Sequence, residues 1–243
     1  MLEINSKNRR ARQLFDGIAR NYEWPAQMFS LLQYGRWRNQ LVSRLELKAR
    51  DAVLDICTGP AGVALSLASR ADCHIIGLDI SDQMLAQAQQ NIRRNRKESS
   101  ISLVQGRAEN LPFSDNTFDA VIFTFLLRYV EDIDTTLKEI VRVLRPGGQV
   151  ASLEFYAPEG LVIRSLWLLH TRLAVPVGAA LLSSGWSKVG SFLGPSISNF
   201  YRRHPLHEIR SSLSKAGISE VQLRQLSLGG AVIMWGRKTI SEA

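Results

Sequence analysis

Two aspartates stand at matching places in the chain. Asp55 lies in the apolar run Ala52-Val53-Leu54-Asp55-Ile56, which leads into Cys57-Thr58-Gly59-Pro60-Ala61-Gly62. Asp79 closes a second apolar run, His74 to Leu78, twenty residues after Gly59. A carboxylate at a strand's carboxyl end can accept two hydrogen bonds from the hydroxyls of a ribose. A glycine turn beside it lets a ligand approach the backbone, and the next helix presents free N–H groups. A dinucleotide site would use G-x-G-x-x-G, so that backbone meets a pyrophosphate, and Thr58-Gly59-Pro60-Ala61-Gly62 does not fit that pattern. S-adenosylmethionine has no phosphate. It needs a snug turn for its amino-acid end, an acid for its ribose and an apolar slot for adenine, and Ile80 and Met84 offer part of that slot. Taken singly, Asp55 also reads as a strand-end cap and Gly59 as a plain turn glycine.

Strands and helices must position these groups. Ala52 to Ile56 reads as a buried strand and Val63 to Ala68 as the helix that follows it. His74 to Leu78 is a strand. Ser81 to Arg94 is a helix, with Ser81 as N-cap and Asp82 in its first turn. Ser102 to Gln105 and Phe118 to Phe123 read as strands. Asp132 to Leu144 reads as a helix stopped by Arg145-Pro146-Gly147-Gly148, with a strand from Gln149 to Glu154. Upstream, residues 6–24 read as one helix limited by Pro25, and Trp37 to Leu47 as a second. Residues 157–200 break the rhythm, being rich in Leu, Trp, Ser and Gly. Pro205 to Ala216 is a helix ended by Gly217, and strands from Ser219 to Leu226 and from Ala231 to Gly236 close the chain. This alternation predicts a doubly wound, mostly parallel, seven-stranded α/β sheet with N-terminal helices and a helical insertion before the last strands. Residues 1–243 are expected to form one domain: a helical cap over 1–50, a cofactor-binding core over 51–156, an insertion over 157–200 and closing elements over 201–243.

Of the 243 residues 45% are hydrophobic, and the net charge is +8. Residues 1–50 carry 10 basic and 4 acidic groups, 51–159 carry 10 and 15, and 160–243 carry 10 and 3. Basic flanks around an acidic centre suit an anionic membrane or nucleic acid, or a plainly solvated surface. Cys57 and Cys73 have neither disulfide nor zinc spacing, so a reducing, cytoplasmic setting without a metal site is expected. The start of the chain has no apolar signal region. The most apolar stretch, Leu161 to Leu182, is interrupted by Arg164, His170, Arg172 and Pro176, so no transmembrane span is expected.

The motifs together resemble the ubiquinone/menaquinone biosynthesis C-methyltransferases within the class I methyltransferases. Phe15, Ala19, Tyr22, and Gly35 before Trp37-Arg38 are similar to that family's N-terminal pattern. Val53 to Ile56 with Gly59, then Gly77 to Ser81 through Met84, are similar to its first two motifs. Ala108 to Phe113 with Asp115 to Asp119 closely matches its third. Leu127-Arg128 before Val130, Arg142 to Gly148, Leu153-Glu154-Phe155, His204-Pro205, Ala216-Gly217 and Leu226-Ser227 continue the likeness over nearly the whole length. The resemblance implies that Asp79 binds ribose, that Arg107 and Ala108 meet adenine, and that Thr124 lies beside the methionine portion. With Asp55, Thr58, Gly59, Pro60, Ile80 and Met84 these are the expected cofactor residues. Three departures stand out. Pro60 removes a hydroxyl and an N–H from the first motif, Arg107 replaces the usual Asn or Asp, and Tyr129 replaces the Asn usual after the arginine.

The resemblance implies C-methylation of a prenylated quinol. Carbon is a poor nucleophile unless its ring is electron-rich, so a quinol oxygen losing its proton to a nearby base would help. The candidates are His204, Tyr22, Arg128 and Glu154. Each also has a structural reading: a turn residue, a helix core residue, a salt bridge and a structural hydrogen bond respectively. Leu161, Leu166, Trp167, Leu168, Leu169, Leu173 and Val177 would form an apolar acceptor wall, or else an ordinary helical cap or dimer face. Contact with a membrane surface and a homodimer follow as further expectations. Other lipophilic acceptors, such as a phospholipid amine or a small aromatic, remain alternatives. So does a binding module without catalysis. Nucleic acid is disfavoured because aromatic residues do not interleave with the basic clusters.

Overall fold

Short apolar runs bounded by turns form strands β1 (Ala52–Ile56), β2 (His74–Asp79), β3 (Ile101–Gln105), β4 (Phe118–Thr124) and β5 (Leu144–Phe155) in the computed structural model, which describes residues 6–240. These five pair in parallel, and β1 and β4 are almost wholly buried, which is why they read as near-continuous apolar runs. With β6 (Ile218–Leu226) and β7 (Ala231–Lys238) they make one sheet in the order β3-β2-β1-β4-β5-β7-β6, β7 running antiparallel to both neighbours. The expected doubly wound, mostly parallel architecture is therefore present. From β1 the chain winds outward to β2 and β3, then crosses back to place β4 on the other side. That reversal opens a crevice at the carboxyl ends of β1 and β4.

Alternate strand residues supply the two faces of the core. Leu54, Ile56, Val121 and Phe123 pack on one side, and Val53, Ala120 and Ile122 on the other. Helices α4 (Gly62–Ala68), α5 (Asp82–Arg94), α6 (Ile133–Val143) and α10 (Leu206–Lys215) flank the sheet. Ser81 caps α5, its hydroxyl accepting from the Met84 amide at 3.0 Å, and Asp132 caps α6 through the Thr135 amide at 2.6 Å.

The N-terminal segment is not one helix to residue 24. It divides into α1 (Ser6–Asp16), a 3₁₀ turn (Ala19–Asn21) and α2 (Glu23–Phe29). The break falls at Gly17, against which Gly185 packs so closely that a Cβ on Gly185 would lie 2.5 Å from the Gly17 carbonyl oxygen. Pro25 does not limit the helix but sits in the first turn of α2, where its missing N–H has no intrahelical partner to lose. The next helix, α3 (Tyr34–Val42), starts and ends earlier than expected. Residue 46 is instead held in a strand-like pair by Gln149, which accepts from the Glu46 amide at 2.9 Å and donates to its carbonyl at 2.8 Å. β5 begins at Leu144, taking in the Arg145–Gly148 turn through a register irregularity against β4. The outermost parts of the expected domain, 1–5 and 241–243, lie outside the described residues.

Residues 161–203 are helical except for Ser183, which is extended. α7 (Leu161–Leu169), a π-type turn (His170–Ala174) and α8 (Val175–Leu182) run on as one helix of 22 residues, followed by α9 (Ser184–Arg203). By length and composition alone Leu161–Leu182 is long and apolar enough to cross a membrane, with a mean hydropathy of 1.4, but its inner side is buried against α9. Its interruptions are too sparse to lower the average. The wide turn before Pro176 relieves the clash a proline makes with the preceding turn. The inner side of this helix packs on α9, Thr171 against Gly194 and Val175 and Ala179 against Gly190.

Candidate active site

The turn after β1 is folded around its own polar groups. Cys57, Gly59 and Ala61 all take left-handed conformations, with φ of 58°, 53° and 67°. Only glycine does so without strain. No atom lies within 4 Å of where a Gly59 Cβ would stand, so the backbone there faces open space in the crevice. Asp79 ties the turn to β2, its Oδ2 accepting from the Gly59 amide and its Oδ1 from the Ser81 amide, both at 2.9 Å. Each oxygen keeps a lone pair for a ligand hydroxyl. Burial raises the Asp79 carboxyl to about 6, opposed by these backbone amides. Asp55 lies beneath the turn rather than in it. It is fully buried, accepts from the Thr58 hydroxyl at 2.7 Å, and leaves Oδ1 without a partner. Burial pushes its carboxyl up to about 7, opposed by the Thr58 hydrogen bond.

Thr58, Gly59, Pro60, Asp79, Ile80, Met84, Arg107, Ala108 and Thr124 all line this crevice. Nine of the expected cofactor residues are thus brought together. Asp55 is the exception, and its placement makes it a support for Thr58 rather than a contact. Burial also keeps the thiol of Cys57, another lining residue, protonated. Helix α1, whose residues were not among those expected to hold the cofactor, supplies a further wall: Asn8, Ala11 and Phe15 close over the crevice. Arg12 pairs with Asp82 at 2.8 Å, the Ser81 hydroxyl donates to Asp16 at 2.5 Å, and Asn8 donates to Glu109 at 2.9 Å. The signal available in the sequence was Asn8 at helical spacing from Ala11 and Phe15, a polar residue on the apolar face of the helix.

Beside the crevice lies a second, apolar cavity. It is lined by Ala26, Phe29, Phe155, Val175, Trp186, Val189 and Leu193, among others, and Arg128 is its single charged lining residue among those described. Phe15, Tyr22, Tyr34, Phe125 and Tyr129 line both spaces, forming an aromatic collar between them. The rings hold one another: Phe15 meets Tyr129 edge-on at 5.4 Å, and Phe125 stacks on Phe155 at 4.1 Å. Burial holds the Tyr22 hydroxyl far above its ordinary value, so at neutral pH it is a donor and not a base.

The four expected catalytic residues separate. Tyr22 lies in the collar. Arg128 lines the apolar cavity, its guanidinium over the rings of Tyr129 at 4.9 Å and Phe155 at 5.5 Å. Glu154 is fully buried at the end of β5, lining neither space; its Oε1 accepts from the Leu127 amide at 2.9 Å and Oε2 has no partner. Burial raises its carboxyl to about 7, opposed by the charge of Arg128 and the backbone amides of Leu127 and Leu126. His204 is not at the site. It lies at the end of α9 against Phe200, lining an outer groove that Arg128 also lines but not the crevice or the apolar cavity. The expected acceptor wall also differs. Leu161, Leu166, Leu169, Leu173 and Val177 are exposed, and the same helix turns Val175 to the cavity instead.

The model of the ubiE/COQ5 methyltransferase family matches residues 3–238. A demethylmenaquinone methyltransferase from Bacillus licheniformis is 34% identical over 237 residues, covering 97% of this chain and 99% of that protein. One from Lactiplantibacillus plantarum is 33% identical over 227 residues, covering 93% and 94%. Among solved structures, a SAM-dependent methyltransferase from Aquifex aeolicus superposes with a TM-score of 0.61 at 16% identity, over 88% of this chain and 98% of that one. A Haemonchus contortus phosphoethanolamine N-methyltransferase 2, bound to phosphomonomethylethanolamine and S-adenosylhomocysteine, gives 0.63 at 16% identity, over 93% of this chain and 60% of that one. At these identities the two structures share the fold alone.

Proposed function

The chain belongs to the ubiE/COQ5 methyltransferase family, and from that premise we propose that it moves a methyl group from S-adenosylmethionine to a ring carbon of a prenylated quinol of the demethylmenaquinol type. The observation that carries the reading is the apolar cavity with one cation, joined to the crevice through the aromatic collar. The crevice residues fit the cofactor: Asp79 retains acceptor capacity for a ribose, Gly59 offers open backbone, and Ile80 and Met84 give an apolar slot. When bound, S-adenosylmethionine would supply a methyl group on a sulfonium; its transfer to a ring carbon of an ionised quinol leaves the neutral thioether, and the displaced ring proton returns to the quinol oxygen as the ring regains aromaticity.

The chain's own residues do the rest. The collar excludes water from the junction, and its aromatic faces favour a neighbouring cation. Arg128 holds a quinol oxygen in its ionised form, making the ring electron-rich. Glu154 acts through Arg128 as a positioning residue, because it lines neither space. A phospholipid amine would bring a cation to a cavity whose one charged lining residue among those described is Arg128, so the chemistry of the wall disfavours it.

The test is methyl transfer from labelled cofactor to chemically reduced demethylmenaquinol in detergent. Label in the quinone fraction, lowered at least tenfold by Arg128→Gln with cofactor affinity unchanged, is the expected result. Label in phospholipid or nucleic acid, with none in quinone, would overturn it.

A further inference from the structure

The helix that supplies Val175 to the acceptor cavity turns a stripe of large apolar side chains outward. Val162, Leu166, Leu169, Leu173, Val177 and Leu181 recur at intervals of three or four residues and are all exposed, Leu181 to 83%. Stripes of this size are rare on the free surface of a soluble protein. A second exposed apolar group adjoins it. His170 donates to the Phe29 carbonyl at 2.9 Å and Phe29 packs on Gly178, which fixes the end of α2 and the following turn alongside the long helix. There Trp24, Met28, Leu31 and Leu32 are exposed, and the two leucines take left-handed backbone conformations with φ of 54° and 63°. Such conformations are uncommon for bulky residues.

The charges on this face are mostly basic. Arg36, Arg164, Arg172 and Lys188 are exposed, 24–45 and 160–207 contain no Asp or Glu, and the carboxylates that precede these two segments are Glu23, paired with Arg38, and Glu159, hydrogen-bonded by Tyr156. We propose that this face docks on the surface of an anionic lipid bilayer, α7 and α8 lying in the headgroup region with the leucine stripe toward the acyl chains. An exposed apolar stripe with basic flanks is the pattern of an interfacial helix. A second copy is a poorer occupant, because a two-fold contact would set arginine rows against one another without a carboxylate between them. A span is poorer too, since Thr171, Val175 and Ala179 are buried against α9. The proposal rests on the quinol reading for its purpose: the docked face lies on the outer side of the helices that wall the acceptor cavity, so a lipid-dissolved acceptor reaches it without crossing water.

The test uses the full chain with vesicles of phosphatidylcholine alone or with roughly a third phosphatidylglycerol. Co-sedimentation should be at least about tenfold stronger on the anionic vesicles and fall as salt is added. Leu166→Glu with Leu173→Glu should lower it at least about tenfold. Gln222→Glu with Gln225→Glu, the same charge change on β6, should leave it unchanged. The melting shift produced by S-adenosylhomocysteine shows that each variant is folded. Should the leucine variant fail that check, Arg164→Gln with Arg172→Gln must still abolish the preference for anionic lipid. Equal, salt-insensitive binding to both vesicles overturns the proposal. So does retention through carbonate washing, which marks a span, and so does a dimer in light scattering that binds no vesicles and is broken by the leucine variant. Methyl transfer to a short-chain, water-soluble quinol tests the acceptor reading separately. Its failure with vesicle binding intact would remove that reading and leave the docking face.

Discussion

Asp79 and Glu154 are both buried carboxyls at strand ends, yet their surroundings give them different work. Asp79 is tied to two backbone amides and faces the crevice. Its carboxyl lies near 6, so the ionised form, which on the proposed reading accepts from ribose hydroxyls, is present above that pH and lost below it. Asp79→Ala should therefore weaken S-adenosylhomocysteine binding by at least about tenfold, from the loss of two charge-assisted hydrogen bonds. In the unchanged protein, titration calorimetry should show affinity falling between about pH 7 and pH 5. Glu154 faces no ligand, and its titration is read in stability. Its folded value, about 7, is above its ordinary one of 4.5. As pH rises from 4.5 to 7 the unfolded chain gives up this proton before the folded chain does, so stability is lost across that window. Glu154→Gln removes the effect. Between about pH 5 and pH 8, urea unfolding should show the variant gaining on the wild type by on the order of 2 kcal/mol. An unchanged difference would mean that Glu154 is ionised throughout.

At the scale of elements, the site depends on helices that the sheet alone would not place. α1 reaches across the sequence to α5 through Arg12–Asp82 and Asp16–Ser81. Ser81→Ala removes both the cap of α5 and the hold on Asp16. A loss of about 1 kcal/mol is expected from the cap, together with faster release of S-adenosylhomocysteine in stopped-flow measurements. α8 and α9 approach closely because residue 190 is glycine. A Cβ there would lie 2.6 Å from that of Ala179 and 3.1 Å from the Val175 carbonyl oxygen. Gly190→Ala should cost about 1–3 kcal/mol from overpacking, less the roughly 1 kcal/mol that alanine contributes to helix propensity. Gly160→Ala, where no atom lies within 4 Å of the new methyl, should be neutral in the same urea titration.

For the whole molecule, cofactor and fold are linked by mass action. S-adenosylhomocysteine at about a hundred times its dissociation constant should add about 2.7 kcal/mol to stability. For a chain of this size that corresponds to a rise of roughly 5–10 °C in Tm. No rise would show that the crevice does not take this ligand. The doubly wound, mostly parallel sheet and a crevice at its switch point were legible in the sequence, because apolar runs alternating with capped helices admit few packings. The meeting of Thr58, Gly59 and Asp79 at one crevice was legible for the same local reason: they lie at strand ends, where topology already dictates their neighbours. What lay outside such local rules was decided by tertiary structure. The division of 6–24 follows from the close contact of Gly17 with Gly185, far along the chain. His204 and Arg128 both looked chemical, but the course of α9 left His204 in an outer groove, while the turn after β4 placed Arg128 between that groove and the cavity. The leucines of 161–182 read as a wall, yet periodicity shows only that a helix has two faces. Which face turns inward was decided by the glycines of α9, which admit Thr171, Val175 and Ala179 and leave the leucine stripe outside.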